Sequence, residues 1–187
     1  FYERSENDPT ILEESLALCR KLIEIYPNDA KSHSVYGDFL LREERYEEAR
    51  DSFRRAVALD PDRPIIWSQI LVLDSELEDF QGMTEDSEEA VELFPTNSSF
   101  YLFGGLAHNR LGNSSKAIEL LEGGKEMVID DDGSLLEFYS ALGDAYNEEK
   151  RFAESDKAFD RALNIDPDNV FILNNYSYYL SLRRSKL

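Results

Sequence analysis

Three prolines set the frame of this chain: Pro27, Pro61 and Pro95 stand 34 residues apart, and Pro167 follows Pro95 after two such periods plus four residues. A period of roughly 20–50 residues marks one supersecondary unit repeated and stacked on itself, which restricts the chain to solenoid-like arrays before any local structure is read. The 187 residues make five and a half periods. Numbering each unit from Ala30, Pro64, Ser98 and Leu136 puts similar side chains in columns. Position four holds His33, Trp67, Tyr101 and Tyr139, and position eight holds Gly37, Leu71, Gly105 and Gly143. Position twenty holds Ala49, Met83, Ala117 and Ser155. Position twenty-four holds Phe53, Ser87, Leu121 and Phe159, and position twenty-seven holds Ala56, Ala90, Gly124 and Ala162.

Within each unit the apolar residues recur at helical spacing, as in Tyr36, Phe39 and Leu40 and then Ala49, Phe53, Ala56 and Val57. Each unit therefore reads as two helices joined by a polar turn such as Arg42 to Arg45, with Tyr46, Phe80 and Phe152 opening the second helix. The spacing predicts helices over 11–25, 30–42, 46–59, 64–77, 80–93, 98–111, 114–128, 134–148, 152–165 and 170–183. The prolines follow the second helices and stop them, because proline lacks the amide donor that a helix needs. Thr10 with Glu13, and Ser134 with Glu137, are expected to form capping boxes. Glycine at position eight is expected to admit the alanine of position twenty on the partner helix.

The column pattern, an aromatic, then Gly, then Ala, a large apolar residue, Ala and Pro over 34 residues, resembles the tetratricopeptide repeat (TPR) family. The resemblance spans nearly the whole chain. The unit from Asp29 to Arg63 fits best; the second departs at Leu71, Met83 and Ser87, and the third has Ile129 in place of the closing proline. The family's fold is all-α, a right-handed superhelical array of antiparallel helix pairs. Its frame divides the chain into a partial repeat over 1–29, mainly a second helix; repeats over 30–63 and 64–97; a repeat over 98–135 with a four-residue insertion; a repeat over 136–169; and a first helix over 170–187.

The two ends break the pattern. Stacked repeats normally finish in a capping helix with a polar outer face, whereas Phe171, Leu173, Tyr176, Tyr178, Tyr179 and Leu180 leave the last helix apolar nearly all round. The chain, which opens on Phe1, reads as an excerpt of a longer array whose last helix, 170–183, expects a neighbour or a second copy.

Composition narrows the function classes. With 42% hydrophobic and 12% aromatic residues the chain can build a core, unlike a disordered acidic tail. Its 39 acidic against 20 basic side chains give a net charge of −19, which repels phosphate backbones and argues against a nucleic-acid partner. Much of that charge sits on second helices and turns, from Glu43 through Asp51, at Glu85 to Glu89 and at Asp130 to Asp132, where it should coat the surface. No segment has the apolar length of a membrane span or the pattern of a signal peptide. The lone Cys19 cannot form an internal disulfide, so cytoplasm and, after loss of an upstream signal, periplasm both fit.

No catalytic constellation emerges. His33 and His108 have no ligand partner at helical spacing, so no metal site is expected, and His33 should pack in its aromatic column. The Asp130 to Gly133 run resembles the start of a calcium loop, but placing Gly133 sixth puts Val128 first and Tyr139 twelfth, neither of them a ligand. A helix-capping turn is the better reading. Gly104-Gly105 and Gly123-Gly124 lack the strand, Lys and Ser/Thr of a phosphate loop and suit helix packing. Three glycosylation patterns, at Asn97, Asn113 and Asn175, fall at two helix starts and inside a helix. Ser185-Lys186-Leu187 matches a peroxisomal address, set aside because that end should lie within a repeat. The chain is read as no enzyme, with no cofactor.

Function should then sit in the concave groove that the resemblance implies, lined by the first helix of each unit. Its expected apolar anchors are Val72, Leu102, Phe103 and Leu106, its polar contacts Arg42 and Arg110, and its lining includes Gln69, Asn174 and Tyr178. Asp38, Glu76, Glu137, Asp144 and Glu148 tint it towards a basic partner. The Lys, Arg and paired Asn with which chaperone-binding members hold a terminal carboxylate are absent at Ser34, Asp38, Gln69, Ser99 and Phe103. The leading expectation is a scaffold that binds an extended or helical segment of another protein. A structural spacer or self-association module is the alternative, and the regulatory part of an enzyme whose catalytic domain lies elsewhere is a third reading.

Overall fold

A computed structural model describes residues 9–184 of the chain, so the Ser185-Lys186-Leu187 tripeptide lies outside the described residues. Among the described residues all regular structure is helical: α1 (Pro9–Ile25), α2 (Ala30–Arg42), α3 (Tyr46–Leu59), α4 (Pro64–Glu76), α5 (Phe80–Leu93), α6 (Ser98–Arg110), α7 (Ser114–Lys125), α8 (Asp132–Glu148), α9 (Phe152–Ile165) and α10 (Val170–Arg184). These follow the expected spans closely. Each closing proline stands two residues beyond a helix end, at Ile25, Leu59, Leu93 and Ile165.

The helices form two compact units that divide between Gly82 and Met83, inside α5. In the first unit α2 packs on α1 and α3, and α3 on α4. In the second, α6 pairs with α7 and α8 with α9, while α8 also contacts α6, α7 and α10. The fold is an all-α, TPR-like array of helix pairs.

Glycine at position eight does open the helix pair, but its partner differs from the expected alanine. A Cβ on Gly37 would lie 2.6 Å from the Phe53 ring, one on Gly143 2.6 Å from the Phe159 ring, and one on Gly105 2.5 Å from Leu121. The large residue of position twenty-four, fully buried in all three units, fills the space that glycine vacates.

The turn between the two helices of a unit is the same throughout. Glu44, Glu78, Gly112 and Lys150 all occupy the left-handed region, at φ 57°, 54°, 78° and 61°. Around each, two amides fold back on the preceding helix: Glu44 to Leu41 and Arg45 to Leu40, at 3.1 and 3.0 Å, and likewise Glu78 to Ser75 and Asp79 to Asp74, at 3.1 and 2.9 Å. This is the Schellman arrangement, which satisfies the carbonyls a helix end orphans. Glycine is its usual residue, yet three of the four positions carry a long charged side chain.

Position four explains the proline column. His33 Nε2 and Trp67 Nε1 donate to the carbonyls of Pro27 and Pro61, and the Tyr101 hydroxyl donates to that of Pro95, each at 3.0 Å. An aromatic body with a polar tip buries its ring and ties down the preceding turn at once. The fourth unit has no such proline, and there the Tyr139 hydroxyl accepts from Arg161 at 3.0 Å.

Two capping expectations need correction. Helix α8 begins at Asp132, ahead of the expected start, and its cap is Asp131, whose carboxylate accepts from the Ser134 amide at 3.1 Å and hydroxyl at 2.7 Å. Ser134 is therefore not the capping residue of a box with Glu137; an acceptor three residues upstream already serves the first turn, as the reading of 130–133 as a capping turn implies. Thr10 falls inside α1, and its side chain lies outside the described residues. Asn97 caps α6 by accepting from the Ser99 amide at 3.2 Å, whereas Asn113 makes no side-chain cap. Cys19 is buried, as its helical phase suggests. The acidic runs of the second helices are exposed apart from the half-buried Asp86.

Candidate functional site

The first helices of three successive units wall one groove in the second unit. It holds about 990 Å³ and is lined by Leu102, Phe103, Leu106, Asn109 and Arg110 on α6, Glu137, Ser140, Ala141, Asp144 and Glu148 on α8, and Phe171, Asn175, Tyr178 and Tyr179 on α10. The helical repeat puts these positions on one face, since residues three and four apart stack along a helix. Gly105 on α6 and Ala141 on α8 keep the floor low, because neither carries a long side chain into it.

Five of the nine residues expected to contact a partner meet here: Leu102, Phe103, Leu106, Arg110 and Tyr178. Their availability differs. Leu102 is 9% exposed and packs in a core with Ala117, Leu121, Ala141 and Leu142, so much of its surface is already spent within the chain. Phe103 is half-buried. Leu106, 37% exposed, and Tyr178, 58% exposed, are open to a partner. Asn174 is exposed on α10 outside the lining, where its neighbour Asn175 takes part. The other three lie in the first unit. There Gln69 Nε2 donates to Asp38 at 3.2 Å, Val72 is 47% exposed, and the Arg42 guanidinium lies 5.8 Å from the Phe39 ring centre.

Electrostatics single out Asp144 from the five acidic residues expected to tint the groove towards a basic partner. Burial pushes the Asp144 carboxyl up to about 6, with Glu148 adding to the shift and the Tyr179 hydroxyl and Arg110 opposing it. Its Oδ1 is sealed from solvent and accepts no hydrogen bond. The Tyr179 phenol is pushed up in turn, chiefly by burial and then by the charge of Asp144. Phe171, 63% exposed, is a residue not chosen as an anchor from sequence. Its signal was present: an aromatic side chain at a groove position of the last helix. Asp144 was harder to single out among 39 acidic residues.

Among the described residues no group of three or more His, Cys, Asp or Glu side chains is placed to hold a metal ion. His33 is buried on the Pro27 carbonyl, and His108 is buried with its Nε2 3.5 Å from Glu88. No described helix is long and apolar enough to cross a membrane.

Helix pairs closed by a left-handed turn, opened by a glycine and pinned by a polar-tipped aromatic define a helical-repeat scaffold. The family profile of the tetratricopeptide repeat matches residues 30–63 and again 136–169. Those two stretches are tetratricopeptide repeats, which makes this a TPR repeat protein there. Among solved structures it is similar to YrrB, described as a TPR protein with an unusual peptide-binding site, at 20% identity and a TM-score of 0.77, covering 89% of this chain and 84% of that one. It is also similar to MamA, at 19% identity and a TM-score of 0.71, covering 83% of each chain. Those likenesses concern the fold. In sequence it is 29% identical over 107 residues to the auxiliary subunit NAA15 of the N-terminal acetyltransferase A complex of Arabidopsis thaliana, covering 56% of this chain and 12% of the relative. It is 31% identical over 98 residues to the human NatA auxiliary subunit N-alpha-acetyltransferase 16, covering 51% and 11%. The chain thus spans only about an eighth of those relatives. It is a protein-interaction scaffold.

Proposed function

We propose that the chain binds a peptide or helical segment of another protein in the groove of α6, α8 and α10, without catalysing a reaction. The observation that carries the reading is the groove of about 990 Å³ whose walls present exposed Leu106 and Tyr178 beside half-buried Phe103. Exposed apolar side chains in a concavity favour a partner because their burial releases water, at about 25 cal/mol per Å². Anchors in the desolvated centre carry most of the binding energy. On the first unit, Val72, Gln69 and Arg42 offer a separate set of contacts. The likeness to auxiliary subunits of an acetyltransferase complex supports a role as a non-catalytic member of an assembly.

A pull-down with the full-length protein, repeated with Phe103→Ala and Leu106→Ala combined, tests the reading. Loss of the captured partner is expected; capture that survives the double substitution removes the groove assignment. Self-association through α10 is the second reading, favoured by the exposure of Val170, Phe171 and Leu173. Sedimentation of the chain decides it, since a strict monomer at high concentration leaves those residues without a second copy.

A further inference from the structure

The groove of the second unit is not neutral. Among the described lining residues three carboxylates, Glu137, Asp144 and Glu148, face one guanidinium, Arg110. Two of the carboxylates stand at the mouth, exposed to water, and cost nothing to keep charged. Asp144 is different. Its Oδ1 is shut away from solvent with no donor, one helical turn from Ser140 and among Ala141, Leu106 and Tyr179. A buried acceptor left without a donor is costly, and the Tyr179 hydroxyl, which bonds this carboxylate, does not serve Oδ1. The same groove presents apolar groups: Leu106 from α6, and Phe171 and Tyr178 from α10, all open to a partner.

We propose that the occupant of this groove is an amphipathic segment of a partner protein that places a Lys or Arg side chain on Asp144 and rests flanking apolar residues on Leu106, Phe171 and Tyr178. The inference rests on the groove reading above and adds the partner's chemistry. A cation beside the half-buried carboxylate would neutralise its charge, and a charge-assisted interaction in a desolvated site is stronger than a neutral one. An acidic segment would meet three carboxylates. An uncharged one would leave the Asp144 charge more deeply buried and not neutralised.

The groups facing Asp144 define the pH response. They are Arg110 from α6, Glu148 from its own helix and Tyr179 from α10. With the Asp144 carboxyl pushed up to about 6, the site is ionised at pH 7.5 and mostly protonated at pH 5, so binding of a cation weakens about tenfold over that interval.

The experiment selects random peptides about twelve residues long, enough to run through such a groove, on the full chain at pH 7.5. The enriched peptides are then synthesised and titrated by fluorescence anisotropy. Expected are sequences with Lys or Arg between apolar residues, whose affinity falls at least about tenfold on Asp144→Asn, as truncation of a buried charge pair does. The variant should also lose the pH dependence between 5 and 7.5. Leu106→Ala with Phe171→Ala, both at exposed positions, tests the groove itself. Peptides that lose affinity on that double substitution but carry no Lys or Arg, or ignore Asp144→Asn, overturn the cation assignment and leave the groove standing. No enrichment, or peptides indifferent to both sets of substitutions, overturns both.

Discussion

Replacing Asp144 by asparagine should make the protein more stable at neutral pH, and the size of the gain follows from the burial of the carboxylate. The side chain lies half-buried in the groove, and its carboxyl is pushed from 3.8 to about 6, above all by loss of solvent. A folded-state value above the unfolded one means that the native protein binds this proton more tightly. Its contribution to stability is then fully present below about 3.8 and is lost as pH rises through about 6. Each unit is worth about 1.4 kcal/mol, so the ionised carboxylate costs the native state up to about 3 kcal/mol at pH 7.5, and on the order of 1–2 after allowance for its partial contact with water. Asparagine is neutral, similar in shape, and can still accept from the Tyr179 hydroxyl. Urea unfolding of both proteins at pH 7.5, 6 and 4, followed by far-UV circular dichroism, measures the difference. The asparagine variant should unfold at higher urea at pH 7.5, and the gap should close by pH 4. A gap that is absent, or equal at all three pH values, would mean that Arg110 and Tyr179 already compensate the charge, and the strain assigned to this site would be wrong.

Adjacent glycines in α7 should respond with opposite signs. A Cβ on Gly124 would sit 2.5 Å from Tyr101 and 2.9 Å from Phe138, whereas one on Gly123 meets nothing within 4 Å. Thermal melts should therefore show Gly124→Ala destabilised by roughly 1–3 kcal/mol and Gly123→Ala stabilised by about 0.5–1; equal shifts would refute the packing account. Gly37→Leu, driven into the Phe53 ring, should lower the melting temperature, and a wild-type melt would count against the close approach. Glu78→Gly removes a left-handed strain at φ 54° and should stabilise by up to about 1 kcal/mol in denaturant titration; a loss of stability would show that the side chain holds the turn. Asp74, fully buried between Arg50 and Arg54 at 2.9 Å from each, is a different case. Asp74→Ala removes the buried acceptor that both guanidinium groups share, although Arg50 keeps Asp79 at 2.8 Å, and should cost about 1–3 kcal/mol, while a change near zero would mean that the remaining partners replace it.

The helices were legible because apolar residues carry them, and the period was legible because prolines punctuate it. The opened helix pair was visible in the glycine column, although its partner was not: in sequence alone nothing says whether Gly37 faces Ala49 or Phe53, which lie one turn apart on α3. The left-handed turns were invisible for a physical reason. Four hydrogen-bonded backbones, at Glu44, Glu78, Gly112 and Lys150, share one geometry, but only one has the residue that suits it, because the two carbonyl bonds and the packed helices on either side outweigh about 1 kcal/mol of strain.

A second hidden column shows why charge misleads in such a chain. Position eleven of one unit meets position twenty-five of the unit before it, three times over. Arg54 donates to Asp74 at 2.9 Å, Glu88 stands 3.5 Å from His108, and the Tyr146 hydroxyl donates to Glu122 at 2.9 Å. Each junction uses a different polar pair, so no pairing recurs and the column looks like part of an acidic coat. In all three the member at position eleven is buried, and Asp74 and Tyr146 find hydrogen-bond partners in the neighbouring repeat, while His108 only comes near Glu88. Sliding one repeat against the next would break the pair and leave that group unmatched, which apolar contacts alone would not penalise. Some of this chain's charge therefore fixes the register in which its helices stack.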